Sequence, residues 1–234
     1  MESIPCFDGV SIIEQARQYP PMGLWADVFE KADSALERIS EKLEPRGVFY
    51  PNPNNLLFHA FHICPLENVK VVIIGEAPHA NEDDAWGLAF STPPNRKRKP
   101  SVTTIFDELK REYEDFDPPF HGCLTSWSTQ GVLLLNSCLT YYPDDPLTVT
   151  ERKIFMPFMK YVIEAINEVN KDCVYLLWGN DARRFGIFTK GKKTLTTVDP
   201  TPFAGGKFIG CGHFKETNEY LVSKGMKPID WCDL

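Results

Sequence analysis

Residues 69–75 read Val-Lys-Val-Val-Ile-Ile-Gly and run directly into Glu76-Ala-Pro-His-Ala-Asn81. A short, almost unbroken apolar run rich in β-branched residues and closed by glycine fits a strand buried on both faces, the kind that parallel sheets are made of. Three later runs have the same form: Val132 to Leu135, Cys173 to Leu177 and Thr194 to Val198. Between and after them lie helical stretches, from about Ser101 to Tyr113, Glu151 to Asn170, Asp181 to Phe188, and Phe214 to Ser223 with Gly225 as a stop. Ser101 is a candidate N-cap, and Phe155, Phe158, Val162, Ile166 and Val169 make one apolar face. Strands alternating with helices predict an α/β domain of three layers, α/β/α, around a central four-stranded parallel sheet.

Upstream, Trp25, Val28, Phe29, Ala32, Leu36, Ile39 and Leu43 recur at helical spacing and predict one amphipathic helix. Residues 1–21 have little periodicity and end in Pro20-Pro21, so they read as an N-terminal arm before a single domain over 22–234. A chain of 234 residues is long enough for one domain with a sizeable core.

A formal net charge of −7 argues against a protein that coats nucleic acid without specificity, while leaving room for a local basic patch. The cysteines, at 6, 64, 123, 138, 173, 211 and 232, are scattered and never form C-x-x-C. They read as reduced thiols of an intracellular protein. His59, His62, His121 and His213 have no mutual metal-like spacing and are assigned to structure or surface. The Met-Glu-Ser-Ile-Pro start lacks a basic segment followed by an apolar run, and no stretch approaches eighteen apolar residues, so neither secretion nor a membrane span is expected.

In parallel α/β sheets the working groups collect in loops at the carboxyl ends of the strands. Here those loops hold Gly75 to Asn81 and Gly87-Leu-Ala-Phe-Ser91, then Asn136, then Trp178-Gly-Asn180, then Asp199-Pro-Thr-Pro-Phe203 and Gly210-Cys-Gly-His-Phe214. Singly, each has a bland reading: Asn136 as a turn cap, Phe90 as core, the glycines as ordinary loop. In order, from about Trp25 to Trp231, the set resembles the uracil-DNA glycosylase family, of the type found in cells and herpesviruses. Besides the first strand, the matching stretches include Gly87 to Ser91, Pro100-Ser101, His121 to Leu124, Gly131 to Asn136, Leu177-Trp-Gly179 and Pro228-Ile-Asp-Trp231.

The resemblance implies base flipping, with the extruded nucleotide read on its Watson–Crick edge. By position, Asn136 matches the amide that distinguishes uracil from cytosine, and Phe90 the ring that stacks on the base. Ser101, Asn180 and Thr201 match positions that pinch phosphates, and Phe203 the apolar wedge, usually leucine, that fills the vacated stack. DNA, single- or double-stranded, is thus the implied partner. No cofactor or metal is implied, since the family's chemistry needs only water, and a monomer is expected.

The chain departs from the family at the chemistry. The first loop of the family reads Gly-Gln-Asp-Pro-Tyr-His, with the aspartate positioning water; Ala77 matches that aspartate, His79 the tyrosine that blocks a 5-methyl group, and Ala80 the histidine that follows. In the fourth-strand loop the family has a histidine that stabilises charge on the departing base, and Asp199 matches it. An ionised carboxylate about 4 Å from that charge would oppose it by roughly 4 kcal/mol at an effective dielectric near 20, about a thousandfold in rate. Asp199 or Glu76 remains as a group to activate water, or Asp199, protonated, to donate a hydrogen bond. Gly75-Glu-Ala-Pro78 with Glu82-Asp83 also resembles the first motif of iron–sulfur uracil glycosylases, although their cysteine spacing is missing here. The turn Arg96-Lys-Arg-Lys99 before Ser101 reads either as solvated or as a phosphate contact, and Asp144-Asp145 as an exposed turn.

Two functions follow as expectations. One is a glycosylase of slow or altered activity on uracil or a related pyrimidine in DNA. The alternative is a catalytically silent scaffold of the same fold that binds DNA or a protein partner such as replication or repair machinery, as related poxviral proteins do. Either would work wherever DNA is replicated or repaired, the nucleus included if the source is eukaryotic or a nuclear virus.

Overall fold

The computed structural model describes residues 11–51, 56–202 and 207–234. Its sheet holds four parallel strands among the described residues: β1 (Val71–Gly75), β2 (Val132–Asn136), β3 (Val174–Trp178) and β4 (Lys193–Thr197), in the order β2-β1-β3-β4. The first three are buried at every residue, and Ile73 sits in register with Leu134 on one side and Leu176 on the other. β4, whose sequence is Lys-Thr-Leu-Thr-Thr, is only partly covered, which suits an edge strand.

Alternation along β3 separates the two covering layers. The Tyr175 hydroxyl donates to Asn167 Oδ1 at 2.9 Å on α7 (Met156–Val169), whereas three residues later the Trp178 indole donates to His213 Nδ1 at 3.1 Å on α9 (His213–Ser223). Odd steps along a strand face opposite ways, so α7 and α9 lie on opposite faces and the three layers follow. α5 (Pro100–Glu112) packs beside α9. On the α7 side Phe158 meets Phe29 and Phe61 edge-on at 5.4 and 5.9 Å.

The elements differ from the predicted ones at instructive places. The single helix expected over Trp25 to Leu43 is two, α2 (Leu24–Lys31) and α3 (Asp33–Leu43). Ala32, at φ −90° and ψ 0°, ends the first while its carbonyl starts the second, and Asp33 in the new first turn pairs with Arg17 at 2.7 Å. Arg17 belongs to α1 (Ile12–Gln18), closed by a capping box between Ser11 and Glu14 and docked on α3 through Ile12 and Ala16. Residues 1–10 of the expected arm lie outside the described residues.

Ser101 is not the N-cap of α5. Lys99 occupies that position and Pro100, which needs no amide partner at a helix start, places Ser101 inside the first turn. The helix expected over Glu151 to Asn170 opens with a 3₁₀ segment, Glu151–Phe155, because Pro157 near the start of α7 has no N–H to continue an α-helical ladder from upstream. The stretch after Trp178 is a short α8 (Asn180–Arg183) running into a 3₁₀ turn, Arg184–Ile187. No helix among the described residues is long and apolar enough to cross a membrane.

Candidate active site

From β1 the chain builds β2 on one side and then crosses back over β1 to build β3 on the other, so the sheet's topological switch point lies between the carboxyl ends of β1 and β3. Gly75-Glu76 and Trp178-Gly179 meet there. Two adjoining cavities open at this point. One, of about 260 Å³, is lined by Glu76, Ala77, Pro78, His79, Phe90, Ser101, Arg152, Asp199 and Thr201, with Tyr141 and Leu147 among the rest. The second, about 620 Å³, shares Glu76, Arg152, Asp199 and Thr201 and adds Asn180, Asp181 and Arg184.

The floor is built by close approach. A Cβ added to Gly75 would lie 2.9 Å from Asn136 Oδ1 and 3.1 Å from the Cε2 and Cζ atoms of Phe90, so this position admits only glycine if the amide and the ring are to keep their places. Asn136 is buried at the end of β2. Phe90 sits at φ 66°, a left-handed conformation costing a non-glycine residue roughly 1–3 kcal/mol. Neighbouring bonds enforce it: Ala89 N–H donates to Leu134 O at 3.1 Å, and His79 Nε2 bonds the Phe90 carbonyl at 2.9 Å. A carbonyl only accepts, so His79 carries its proton on Nε2. Burial holds the His79 pKa below the ordinary value, against the pull of that bond. Trp178 backs Phe90, with ring centroids 5.5 Å apart.

The walls are charged. Arg152 donates twice to Asp181 Oδ2, at 3.0 and 2.7 Å, once to Leu147 O at 3.2 Å, and pairs with Glu76 Oε1 at 2.8 Å. Arg184 holds the other Asp181 oxygen at 2.8 Å. Burial pushes the Glu76 carboxyl above its usual range; Arg152 pulls it back, and Asp181 and Asp199 push it up again. Asp199 Oδ1 accepts the Thr201 N–H at 2.8 Å and the Thr201 hydroxyl as well. Gly179, at φ +93°, lies against Asp199, where an added Cβ would stand 3.1 Å from the aspartate Cβ.

Residues 61–222 match the Uracil DNA glycosylase superfamily. The chain belongs to that superfamily. It is 42% identical over 200 residues to a uracil-DNA glycosylase of Dichelobacter nodosus (strain VCS1703A), covering 83% of this chain and 86% of that protein. A uracil-DNA glycosylase of Aeromonas salmonicida (strain A449) is 38% identical over 219 residues, 90% of this chain and 98% of the relative. Among solved structures, mimivirus uracil-DNA glycosylase superposes with a TM-score of 0.77 at 25% identity, covering 92% of each chain.

Within this glycosylase fold, Glu76, Ala77, His79, Phe90, Ser101, Asp199 and Thr201 share the smaller cavity and Asn180 opens on the larger one, whereas Asn136 lines neither and approaches the site only through Gly75, which also lies against the Phe90 ring. Phe203 lies outside the described residues. The basic turn lines neither cavity. Arg96 pairs with Asp83 at 3.2 Å and Asp84 at 3.1 Å, Lys99 also pairs with Asp84, and Arg98 donates to the carbonyls of Pro118 and Pro119. Lys97 alone of the four has a side chain with no such partner among the described residues.

Arg152 was missed from sequence. A signal existed: Thr148 and Glu151 form a reciprocal capping box, Thr148 N–H to Glu151 Oε2 at 2.9 Å and Glu151 N–H to Thr148 Oγ1 at 3.3 Å, which puts Arg152 in the first turn after the β2 loop. A group of Glu108, Glu112 and Cys211 offers three potential ligand atoms close together, but the carboxylates are already engaged by the backbone amides of Gly210 and Gly212 and of Phe214 and Lys215 in the first turn of α9. The six described cysteines are unpaired.

Proposed function

We propose that the protein extrudes uracil or a related pyrimidine from DNA, reads it against Asn136 and Phe90, and hydrolyses its N-glycosidic bond at a rate, or with a base preference, altered by Ala77, His79 and Asp199. The observation that carries this reading is the Gly75–Phe90–Asn136 floor, where a fixed amide and a ring meet over a residue with no side chain, beside a cavity of about 260 Å³. An amide edge supplies one donor and one acceptor, which a pyrimidine edge can match, and a ring face stacks on any base. On this reading residues 22–234 form the working domain behind an arm of residues 1–21, Ser101, Asn180 and Thr201 take phosphates, Phe203 wedges the stack, and DNA is the partner in the cell.

The altered chemistry rests on residue types. Ala77 offers neither charge nor a hydrogen bond to water. A missing general base costs about 10²–10⁴-fold, and a negative charge beside a departing anion costs more. His79 is smaller than tyrosine, which favours entry of 5-substituted uracils.

The test is single-turnover release from oligonucleotides carrying uracil or a 5-substituted uracil, comparing the natural protein with the Ala77→Asp, Asp199→His double variant. The reading expects slow release by the natural chain and faster release by the variant. Equal rates would show that these positions do not limit the reaction. DNA binding without release by either protein would leave the silent scaffold as the function.

A further inference from the structure

We propose that Glu76, oriented by Arg152, is the base that accepts a proton from the attacking water, and that Asp199 serves the turn rather than the chemistry. The inference rests on the reading of the site as a glycosylase pocket. Two carboxylates line the same cavity, and their surroundings assign them different work.

Asp199 is occupied locally. One oxygen closes an Asx turn onto the Thr201 N–H at 2.8 Å and the Thr201 hydroxyl. Its other oxygen faces Gly179, 3.4 Å from where a Cβ would stand. The turn accounts for its geometry.

Glu76 has no such local bond. Its backbone is pinned, its carbonyl accepting Ser137 Oγ at 2.8 Å and Cys138 N–H at 3.1 Å, so the side chain starts from a fixed point at the end of β1. Oε1 meets Arg152 at 2.8 Å, while Oε2 has no protein partner among the described residues. Arg152 is itself locked by its two bonds to Asp181, whose side chain is 8% exposed and is held from the far side by Arg184. The chain Arg184, Asp181, Arg152, Glu76 therefore fixes one carboxylate oxygen and leaves the other free, on a residue that lines the same cavity as Phe90. Preorganisation of this kind is what a general base requires.

The charged groups facing Glu76 are Arg152 and Arg184 against Asp181 and Asp199. In the step itself the water oxygen bonds to C1′ of the sugar as the C1′–N1 bond breaks and its electron pair leaves on the base. One water proton passes to Glu76 and then to the departing base or to solvent. Water is the only co-reactant.

The experiment measures single-turnover base release from a single-stranded oligonucleotide with one uracil, across pH, for the full chain and for Glu76→Gln, Asp199→Asn and Arg152→Gln. Binding to the same oligonucleotide checks that each variant is folded, and Glu76, half exposed, tolerates its change best. The natural chain should gain rate with rising pH along one ionisation. Glu76→Gln should lose about 100-fold or more and the pH limb with it. Asp199→Asn, which keeps the turn, should retain the limb, move it to lower pH and raise its maximum, because a carboxylate that opposed both Glu76 ionisation and charge on the departing base is gone. Arg152→Gln should lower the maximum and move the limb to higher pH, a shift that loss of packing alone does not produce. A Glu76→Gln variant with natural rate and limb, or an Asp199→Asn variant lacking both, overturns the proposal. Absence of release by the natural chain overturns the glycosylase reading itself, and the inference with it.

Discussion

Replacing Glu112 by Gln removes a proton stored beneath the loop that supports the site. Glu108 and Glu112 stand one turn apart on α5, both buried. Glu108 accepts Gly210 N–H at 2.6 Å, Gly212 N–H at 2.8 Å and a fork from Arg111 at 2.9 and 2.7 Å. Glu112 accepts Lys215 N–H at 2.6 Å and Phe214 N–H at 3.4 Å. Burial pushes both carboxyls up. At Glu108 the Arg111 guanidinium and the two amides outweigh burial and hold the carboxyl below its usual range; at Glu112 burial prevails, Glu108 alongside adds to it, and the carboxyl lies above that range. Between the ordinary glutamate range and the raised pKa of Glu112, the folded pair is thus expected to keep one proton where an unfolded chain with two ordinary glutamates has none.

The sign follows from linkage. Where the folded state binds more protons than the unfolded, stability falls as pH rises, here by at most about 1.4 kcal/mol per pH unit for one proton. The fall runs from the ordinary glutamate range up to the raised pKa of Glu112. Below that range the depressed Glu108 pKa reverses the slope, and stability falls as pH drops. A glutamine carries no titrating proton and can donate to Glu108 in its place. Urea unfolding at steps from about pH 5 to about pH 7.5 should show the natural chain losing about 1 kcal/mol or more that Glu112→Gln does not lose. Subtracting the two curves isolates this pair from every other titrating group. Parallel curves would refute the shared proton. The consequence reaches the site, because the first turn of α9 carries His213, which accepts from Trp178, whose ring backs Phe90.

Other outcomes follow from the same contacts. Gly75→Ala should cost about 1–3 kcal/mol in unfolding free energy and reduce discrimination between uracil-containing and uracil-free DNA about tenfold or more, read by fluorescence anisotropy; unchanged discrimination would dismiss the floor. Lys97→Ala should weaken binding to all DNA alike and reduce the log–log salt slope by about 1, whereas Asp84→Asn, by releasing Lys99 and leaving Arg96 only Asp83, should steepen it. Trp178→Phe leaves buried His213 Nδ1 without its donor and should cost about 1–3 kcal/mol, measured by thermal or urea unfolding.

The sheet was legible because buried parallel strands need continuous apolar runs, and Val71 to Ile74, Val132 to Leu135 and Val174 to Leu177 have them; ends shifted by a residue or two, as where Val69 bonds back to Leu66 and delays β1. The split at Ala32 was not legible, since apolar spacing runs through it and only Arg17, on another helix, marks Asp33 as a new start. At the site, the loop residues that share the cavity were legible in order along the chain. The electrostatics were not. Asp83 and Asp84 pair with Arg96 and Lys99 from a separate stretch of the chain, and which charges face solvent and which face each other is a property of the folded loops. Arg152 reaches Glu76 only because β1 and the β2 loop converge, and no local pattern carries that information.

The most direct measurement incubates excess protein with labelled single- and double-stranded DNA carrying one uracil, following base release over hours and binding against uracil-free strands, beside an Asn136→Ala control. The account predicts slow release above the control and preference for the uracil strands. Release equal to the control, with no preference for uracil, would contradict it.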